Sequence, residues 1–588
     1  MEVTRIFDLP YYQLDKYNSP NVFLNKRNGA WKGISSAELV QSFNNISFGL
    51  LEMGVQKGDR IATISSGNRM EWNICDYGML QTGAIHVPMY PTLSEDDYKY
   101  IFNDAEIKIC IVSDKELYDK VSSIKDQVPT LKDIYIFDEV EGIKNYNEIA
   151  VLGSANPDTE KLQAVKDSIK EDDLATLIYT SGTTGKPKGV MLSHKNLVSN
   201  FLSGTELIPV EAGGNTLSFL PMCHVFERTV VYAYQHKGLA TYYAESLETI
   251  GDNIKELHPE IFTAVPRLIE KVYDKIIAKG VEAGGVKAKI FNWAVDVTKD
   301  FKLEGNGFLY NLKHGIADKL VYSKIRNNLD PKLKCMVSGS APLQPRLAKF
   351  FWAIGMPILE GYGLTETSPI VTVNRIEKEN TSFGSVGTLL TDVTVKIAED
   401  GEILVKGPNV MQGYLNRPEA TAEVIDKDGW FHTGDIGKFE GKFLRITDRK
   451  KMIFKTSGGK YVAPQPIENK MKESSFIEQI MVCGEGEKHA SALIVPAFEY
   501  LNKWCKDNGV ECHGHEAMIN NEKVKKAIYD DVQELNKSFG KTETVKKFVL
   551  LPKEWCIEDG ELTPTMKVKR KVITERFKDK IEGMYVSS

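Results

Sequence analysis

The stretch "LIYTSGTTGKPKGVMLSH" occupies residues 177–194 and decides how the rest of the chain is interpreted. It combines glycines, hydroxyl residues and two lysines, a composition typical of a phosphate-binding loop, because glycine lets backbone N–H groups approach an anion and ammonium groups neutralise it. A Walker A P-loop would need glycine and Ser/Thr at the positions held by Thr180 and Pro187. The stretch therefore predicts a phosphate site of another kind, with a flexible surface turn as the alternative.

The segments around this loop alternate between short β-branched runs and apolar helical patterns. "DLATLIYTS" precedes the loop, and a helix is expected to begin near Ser193. The same alternation occurs in residues 58–114 and in residues 333–355. Such alternation is typical of open, mostly parallel sheets covered by helices, which bind ligands at the carboxyl ends of their strands. The predicted fold class is α/β.

The length of 588 residues predicts at least two domains. Residues 273–328 form a mostly amphipathic helical insertion, and residues 384–447 contain short strands and frequent glycines, which predict a small antiparallel β subdomain. We place a boundary after "DRKK". The predicted domains are a large N-terminal domain of βα-type sheets plus the β subdomain, residues 1–450, and a smaller, mobile α+β domain, residues 451–588.

The composition excludes several classes of protein. A formal net charge of -6 argues against nucleic acid as a partner. The N-terminus lacks a signal-peptide pattern and no run of 18 apolar residues occurs, so we expect a cytoplasmic location, with peripheral contact at the inner face of a membrane left open. The eight cysteines include no CxxC pair, which fits a reducing compartment, and Cys75, Cys110, Cys335 and Cys483 are expected to be small buried hydrophobes.

One short cluster, "ECHGHE", suggests a metal site through Cys512, His513 and His515. These side chains are too close together to surround one tetrahedral zinc, and no second pair follows at finger spacing. We interpret the cluster as a solvated loop.

Five motifs follow the glycine loop. They are "VSGSAPL" (residues 337–343), "EGYGLTETSP" (360–369), "WFHTGDIG" (430–437), "ITDRKKMIFKTSGGKYVAPQPIEN" (446–469) and "LTPTMKVKR" (562–570). In this order and spacing the chain resembles the adenylate-forming superfamily of acyl-CoA synthetases, luciferases and peptide-synthetase adenylation domains, over nearly its whole length. "LPMCHVFER" (220–228) and the helical insertion make long-chain fatty-acid CoA ligases the closest resemblance.

The resemblance implies an ATP-dependent, AMP-forming ligase that makes acyl-CoA from fatty acid, ATP and CoA through an acyl-adenylate, with Mg²⁺ as cofactor. Two anions must meet in this reaction, so cations and N–H donors must offset their repulsion. The β- and γ-phosphates are then expected to contact Thr180, Ser181, Gly182, Thr183, Thr184, Gly185 and Lys186.

Other roles follow from the same resemblance. Glu366 and Thr184 are the expected magnesium ligands, and Thr365 is expected to contact the α-phosphate. Tyr362 offers a ring for adenine, with Gly361 beside it and the small residues Gly339, Ser340 and Ala341 on the other side. Asp435 suits the ribose hydroxyls, since a carboxylate accepts two O–H bonds, and Arg449 and Lys455 are expected nearby. The structural alternatives are a helix N-terminal acid for Glu366, a buried ring for Tyr362 and a turn residue for Asp435.

Three further residues complete the prediction. His224 either lines the acyl pocket or is a satisfied core histidine. Lys451 is the expected hinge of the C-terminal domain. Lys567 is the expected adenylation lysine, although Met566 stands where many members carry glycine and Lys569 lies two residues on, so the register of this lysine stays open, as does a solvated basic tail.

Three alternatives to the long-chain ligase remain. The first is a CoA ligase for a medium-chain or aryl acid. The second is a fatty acyl-AMP ligase that transfers to a separate carrier protein. The third is a non-catalytic acyl or nucleotide binding module. Chain-length preference and oligomeric state, with a homodimer among the options, are not decided by these patterns.

Overall fold

A computed structural model describes residues 1–180, 186–246, 248–511, 513–541, 543–557, 559–563 and 566–586. In this part of the chain the strands are β1 (Phe23–Arg27), β2 (Ala30–Ile34), β3 (Arg60–Ile64), β4 (Ile85–Met89), β5 (Ile107–Val112), β6 (Asp133–Ile136), β7 (Leu174–Thr180), β8 (Lys188–Ser193), β9 (Asn215–Ser218), β10 (Ala240–Tyr243), β11 (Ile261–Ala264), β12 (Cys335–Ser338), β13 (Ile358–Gly363), β14 (Ile370–Val373), β15 (Thr388–Leu389), β16 (Thr394–Ile397), β17 (Glu402–Lys406), β18 (Gly413–Tyr414), β19 (Phe431–Glu440), β20 (Phe443–Arg449), β21 (Phe454–Lys455), β22 (Tyr461–Val462), β23 (Ile477–Cys483), β24 (Ser491–Pro496) and β25 (Lys547–Leu550).

The α-helices of the same part are α1 (Leu9–Tyr17), α2 (Ser36–Glu52), α3 (Met70–Leu80), α4 (Glu95–Asp104), α5 (Lys115–Ser122), α6 (Asn147–Ala155), α7 (Thr159–Ser168), α8 (His194–Thr205), α9 (Val225–His236), α10 (Ile250–Leu257), α11 (Pro266–Glu282), α12 (Gly285–Lys299), α13 (Phe308–Ala317), α14 (Ser323–Leu329), α15 (Pro345–Ala353), α16 (Pro418–Val424), α17 (Pro464–Met471), α18 (Phe498–Asp507), α19 (His515–Asn520), α20 (Glu522–Asn536), α21 (Arg570–Arg576) and α22 (Lys578–Gly583). A π-helical turn, Asp318–Tyr322, joins α13 to α14.

Two large sheets confirm the predicted α/β class. A seven-stranded sheet has the order β18-β8-β7-β4-β3-β5-β6, and a nine-stranded sheet has the order β15-β14-β13-β12-β11-β9-β10-β1-β2. The strands from β7 to β6 and from β13 to β1 run parallel, and the antiparallel pairs lie at the sheet edges. All five residues of β4 are buried, as expected for a parallel strand covered on both faces.

The chain around the glycine loop differs in one respect from the alternation expected there. The loop joins β7 to β8, an antiparallel neighbour in which Lys188 pairs with Thr180. The predicted helix then begins at His194, where the Ser193 side chain accepts the N–H of Asn196 as an N-cap. Strand β8 is only six residues long and lies between two recognisable motifs, so its pattern alone did not reveal it.

Two compact units divide the chain: residues 1–395, 404–432 and 441–444 form one, and residues 396–403, 433–440 and 445–588 form the other. The second unit contains the three-stranded sheet β23-β24-β25, in which β24 pairs antiparallel with β23 and parallel with β25. Helices α17, α18 and α20 add Ile467, Leu501 and Ile528 to its core around Leu493 and Ile494. Each unit thus has a hydrophobic core of its own.

The predicted helical insertion is confirmed as α11 to α14 of the first unit. Its inner side joins a core cluster through Phe291, Ala294, Ala317 and Tyr322. Within the described residues, no helix combines the length and the apolar character that crossing a bilayer requires.

The described cysteines and His515 of the "ECHGHE" segment are packed as ordinary side chains. All seven described cysteines carry free thiols; Cys75, Cys110 and Cys335 are buried, as expected, and Cys483 is partly buried. Of the "ECHGHE" cluster, Cys512 lies outside the described residues. The His515 ring stacks on Phe498 with centroids 3.6 Å apart, a packing role for that side chain.

Candidate active site

The two strands that flank the glycine loop, β7 and β8, lie near one edge of the seven-stranded sheet, next to the edge strand β18. Thr180 ends β7 and pairs with Lys188 at the start of β8. Five expected phosphate contacts, Ser181, Gly182, Thr183, Thr184 and Gly185, lie outside the described residues. The described part therefore defines the base of this loop.

The carboxylate of Glu366 lies close to this base. Glu366 is in a 3₁₀ turn, Thr365–Thr367, and its Oε1 accepts the hydroxyl proton of Tyr414 at 2.9 Å. Tyr414 belongs to β18, which pairs with β8, and the Nζ of Lys188 lies 4.9 Å from the centre of its ring. Burial and the adjacent carboxylate raise the pKa of Tyr414, so the phenol stays protonated and donates. The fold thus joins Thr180, Lys188, Tyr414 and Glu366 in one group.

The expected adenine-binding residues follow two neighbouring parallel strands. Ser338 of β12 pairs with Glu360 of β13, so Gly339, Ser340 and Ala341 come together with Gly361 and Tyr362 at the carboxyl ends of these strands. A Cβ on Gly339 would meet the Phe226 ring at 3.1 Å, which explains why a residue without a side chain stands there. Ser340 adopts a left-handed backbone with φ 70°, and Tyr362 is half-buried.

His224 caps the helix that packs beneath these residues. Its Nδ1 accepts the backbone N–H of Phe226 at 3.2 Å at the N-terminus of α9, so in this arrangement the proton of the neutral ring is on Nε2. Phe226, two residues on, is the ring that approaches Gly339. The structure therefore gives His224 a local capping role beside the expected nucleotide-binding backbone.

Three consecutive side chains of α9 connect this helix to the rest of the site. Glu227 accepts hydrogen bonds from Ser218 at 2.6 Å and from Thr263 at 2.5 Å, at the ends of β9 and β11. Arg228 donates to Thr176 of β7 at 2.8 Å, and Thr229 donates to the carbonyl of Ser368, two residues after Glu366, at 3.2 Å. Both large sheets and the Glu366 turn are thus tied to one helix.

Glu227 and Arg228 of α9 are buried, and so are Asp76 and His86, the ionisable partners around Arg228. Burial alone would raise the pKa of Asp76, but the Arg228 guanidinium at 2.6 Å, with His86 and Tyr232, holds that pKa below its usual value. Burial lowers the pKa of His86, so this ring is neutral beside Asp76. In Glu227, burial raises the pKa to about 7 in spite of the two hydroxyl donors.

Lys186, the loop lysine expected at the phosphates, contacts an aromatic ring of α4. Its Nζ lies 4.9 Å from the ring centre of Tyr100, whose hydroxyl donates to the Pro187 carbonyl at 3.2 Å. Arg417 donates to the same hydroxyl at 2.8 Å. The Lys186 ammonium therefore has a cation–π partner in this structure.

In the second unit, the structure brings Asp435 and Arg449 together. Asp435 is buried in β19, and its Oδ1 lies 2.9 Å from Nε of Arg449 in β20. Next to this pair, Lys450 donates its backbone N–H to the Gly434 carbonyl and its Nζ lies 3.0 Å from Glu402. The two residues expected at the ribose are therefore a charge pair on adjacent strands.

Two more expected site residues of the second unit are Lys451, just after β20, and Lys455, in the two-residue strand β21. Lys451 is the second residue after β20 and is exposed. The buried Asp448, three residues earlier in β20, accepts the backbone N–H groups of Arg449 and Gln465. Burial raises the pKa of Asp448 to about 6. Lys455 lies in β21 with its Nζ 5.4 Å from the ring centre of Tyr461.

Lys567 is exposed in a tight turn. Its carbonyl accepts the Thr563 N–H at 2.8 Å, and its own N–H donates to the Thr563 hydroxyl at 3.0 Å. Met566 has φ 61°, a left-handed conformation that favours glycine.

Three residues of these arrangements were missed by the sequence analysis: Tyr414, Lys188 and Tyr100. Lys188 is the second lysine of the loop, so its charge was visible in the sequence. Tyr414 and Tyr100 contact their partners only through pairing and packing of distant segments.

Solved structures of other proteins share this fold. The adenylation domain of a carboxylate reductase from Mycobacterium chelonae has the same fold, with a TM-score of 0.75 and 22% identity over 99% of this chain and 91% of that chain. An anthranilate CoA ligase in complex with anthranoyl-AMP has a TM-score of 0.71 and 17% identity over 98% of this chain and 99% of that chain. The fold is that of adenylate-forming enzymes.

Sequence comparison is more specific. The AMP-binding enzyme family matches residues 15–415 and its C-terminal domain matches residues 451–588. The chain belongs to the AMP-binding enzyme family. It is 35% identical to a long-chain-fatty-acid–CoA ligase of Mycobacterium bovis over 95% of this chain and 93% of that protein. It is 33% identical to long-chain-fatty-acid–CoA ligase 1 of Homo sapiens over 97% of this chain and 84% of that protein.

Proposed function

We propose that this protein is a long-chain fatty acid–CoA ligase, which forms acyl-CoA from fatty acid, ATP and CoA through an acyl-adenylate and releases pyrophosphate and AMP. The observation that carries the proposal is the near full-length similarity to curated long-chain ligases together with the Glu366, Tyr414 and Lys188 group at the base of the glycine loop. Free CoA, fatty acid and ATP are the proposed substrates.

The reaction needs charge neutralisation, because a carboxylate must approach the α-phosphate of ATP in line. We assign the β- and γ-phosphates to the glycine loop, Thr180 to Lys186, and the α-phosphate to Thr365. Lys188 is close enough to Glu366, through Tyr414, to add positive charge to the same region. Lys567 of the second unit is the proposed stabiliser of the adenylation transition state.

Glu366 fits a magnesium ligand. The residue is partly exposed, and its Oε1 accepts the Tyr414 hydroxyl proton, so the carboxylate would be held at the loop base as an oxygen ligand. Mg²⁺ prefers such oxygen ligands and would neutralise phosphate charge when bound, with Thr184 as the second proposed protein ligand.

The nucleotide is proposed to lie at the carboxyl ends of β12 and β13. The Tyr362 ring would stack on adenine, and the backbone of Gly339, Ser340 and Ala341 would approach its other face. We assign the ribose hydroxyls to Asp435, held by Arg449 at 2.9 Å, with Lys455 as a further contact. His224, whose Nδ1 accepts the Phe226 N–H at the start of α9 beside Gly339, is proposed for the acyl pocket.

A CoA-dependent AMP-release assay over a chain-length series of fatty acids, with aryl acids included, tests the proposal. A long-chain ligase releases AMP with free CoA and prefers long chains, whereas preference for aryl or medium-chain acids would indicate a related ligase. AMP release only with a carrier protein would indicate an acyl-AMP ligase. If none of the acids tested supports ATP–pyrophosphate exchange, the chain is a binding module and the proposal is refuted.

A further inference from the structure

The outer face of α13 and of the π-helical turn that follows it exposes a row of large apolar side chains. Phe308, Leu309, Leu312, Ile316 and Leu320 are 80%, 71%, 55%, 46% and 42% exposed, and we call these five residues the outer apolar stripe. Phe308, Leu312, Ile316 and Leu320 recur every four residues, so they lie on one side of a continuous helical segment. Twelve residues at helical rise span about 18 Å.

The opposite side of the same segment is firmly packed. Ala317, Val321 and Tyr322 are buried, and the Tyr322 hydroxyl donates to the Ala294 carbonyl at 2.6 Å. His314 Nε2 lies 2.7 Å from the Ala353 carbonyl. Helix α13 is therefore held by its inner side, and the stripe is presented on a supported helix.

Positive charge accompanies the stripe. Lys313 and Lys319 are in the same helical segment, and the insertion, residues 273–328, contains ten Lys and Arg against six Asp and Glu. The chain as a whole has a formal net charge of -6, so this insertion is cationic within an anionic protein. A long apolar row with lysines is typical of helices that lie in the interface of an anionic membrane.

We propose that the outer apolar stripe docks this protein on an anionic lipid membrane. The five apolar side chains enter the boundary between headgroups and acyl chains, while Lys313 and Lys319 contact anionic headgroups. The inference goes beyond the proposed function and does not depend on it, because exposure and charge alone carry it.

A second copy of the chain suits the same stripe less well. In a two-fold dimer the same patch faces itself, so Lys313 and Lys319 of both copies would meet across the interface. Like charges in close proximity weaken such an association, whereas anionic headgroups favour binding.

The test is flotation of the whole protein with vesicles of phosphatidylcholine alone or with about 30% phosphatidylserine. We expect flotation with the anionic vesicles, weaker flotation with phosphatidylcholine alone, and loss of binding as salt screens the charges. The double variants Leu312→Ser/Ile316→Ser and Lys313→Glu/Lys319→Glu are each expected to weaken binding by at least ~10-fold.

Val151→Ser, at a 66% exposed position of α6, is the matched control and is expected to bind like the wild type. Circular dichroism and vesicle-free AMP release with a soluble acid should be unchanged in all variants, which separates loss of docking from misfolding and from failure of the proposed function. Failure of the wild type to float with anionic vesicles, or flotation that neither double variant weakens, overturns the proposal. The proposal is also overturned if light scattering shows that the wild type is a dimer, that Leu312→Ser/Ile316→Ser dissociates it, and that this variant still binds vesicles.

Discussion

At the scale of single residues, the contact between Glu366 and Tyr414 is central to the proposed chemistry. The Tyr414 hydroxyl orients a carboxylate that is only half-buried, and it comes from a strand far from Glu366 in the sequence. This arrangement separates two properties of the site, the charge of the carboxylate and its orientation. Substitution can test each one independently.

Glu366→Gln keeps the shape of the side chain and removes its charge. We expect adenylation, measured by ATP–pyrophosphate exchange, to fall by at least ~10²-fold, because one anionic ligand for the cation is lost. Tyr414→Phe is the matched variant: it keeps the charge and removes one hydrogen bond, so a loss of about 10-fold is expected. Near-normal exchange in Glu366→Gln at ordinary magnesium would show that this carboxylate is not the ligand.

Buried Glu227 makes stability depend on pH. Its folded pKa of about 7 lies above the ordinary 4.5, so the folded state binds this proton more tightly than the unfolded state. The stabilisation is complete below pH 4.5 and is lost as pH rises through 7, an effect of about 3 kcal/mol.

Glu227→Gln resembles the protonated acid and does not titrate. In urea unfolding, the stability of the variant relative to the wild type is therefore expected to rise by about 3 kcal/mol between pH 4.5 and pH 8. Glu379→Gln, on the exposed surface, serves as the control. A difference that is independent of pH would contradict the buried-acid interpretation.

At the scale of elements, the turn around Lys567 holds its shape through the backbone and Thr563. Replacing a lysine side chain should therefore leave the turn intact. Met566→Gly should also preserve it and stabilise it by up to about 1 kcal/mol, since φ 61° favours glycine.

Lys567→Ala is expected to slow adenylation by about 10²–10³-fold, or roughly 3–4 kcal/mol, the scale of one preorganised electrostatic group. Thioester formation from synthetic acyl-adenylate and CoA should remain close to normal, because the anhydride is already activated. Lys569→Ala, beside the start of α21, is the control and should leave both steps nearly intact. If the adenylation defect follows Lys569 instead, the catalytic lysine is two residues further on; full activity in both variants would leave only a solvated basic tail.

At the scale of the whole molecule, two half-reactions need different groups at one carbonyl carbon. We retain the boundary at residues 450/451 as a prediction, with Lys451 as its hinge. Backbone rotation there would exchange the groups that serve each step.

Lys451→Pro restricts the φ rotation that a hinge requires. Acyl-adenylate formation should persist while transfer to CoA is suppressed, measured as two separate single-turnover reactions. Lys451→Ala, which keeps backbone freedom, should support both. Equal loss of both half-reactions in the proline variant would indicate misfolding, and loss of neither would place the hinge elsewhere.

The sequence by itself determined the α/β class, the family resemblance and a helix start near Ser193, which the structure places at His194. These features depend on local patterns: alternating apolar runs, a serine N-cap and short motifs in a fixed order. The sequence also identified the residue types of the site, because glycines, lysines and carboxylates at these spacings suit few chemistries other than phosphate binding.

Only the tertiary structure decided which side chains meet. Tyr414 reaches Glu366 because β18 pairs with β8, Lys186 contacts Tyr100 because α4 packs near the loop, and Glu227 is buried between the ends of β9 and β11. The helical insertion was expected to be amphipathic, but only the structure shows that an apolar side of α13 stays exposed. Strand order and packing bring together residues that are distant in sequence, and the local sequence pattern around either residue does not specify its partner.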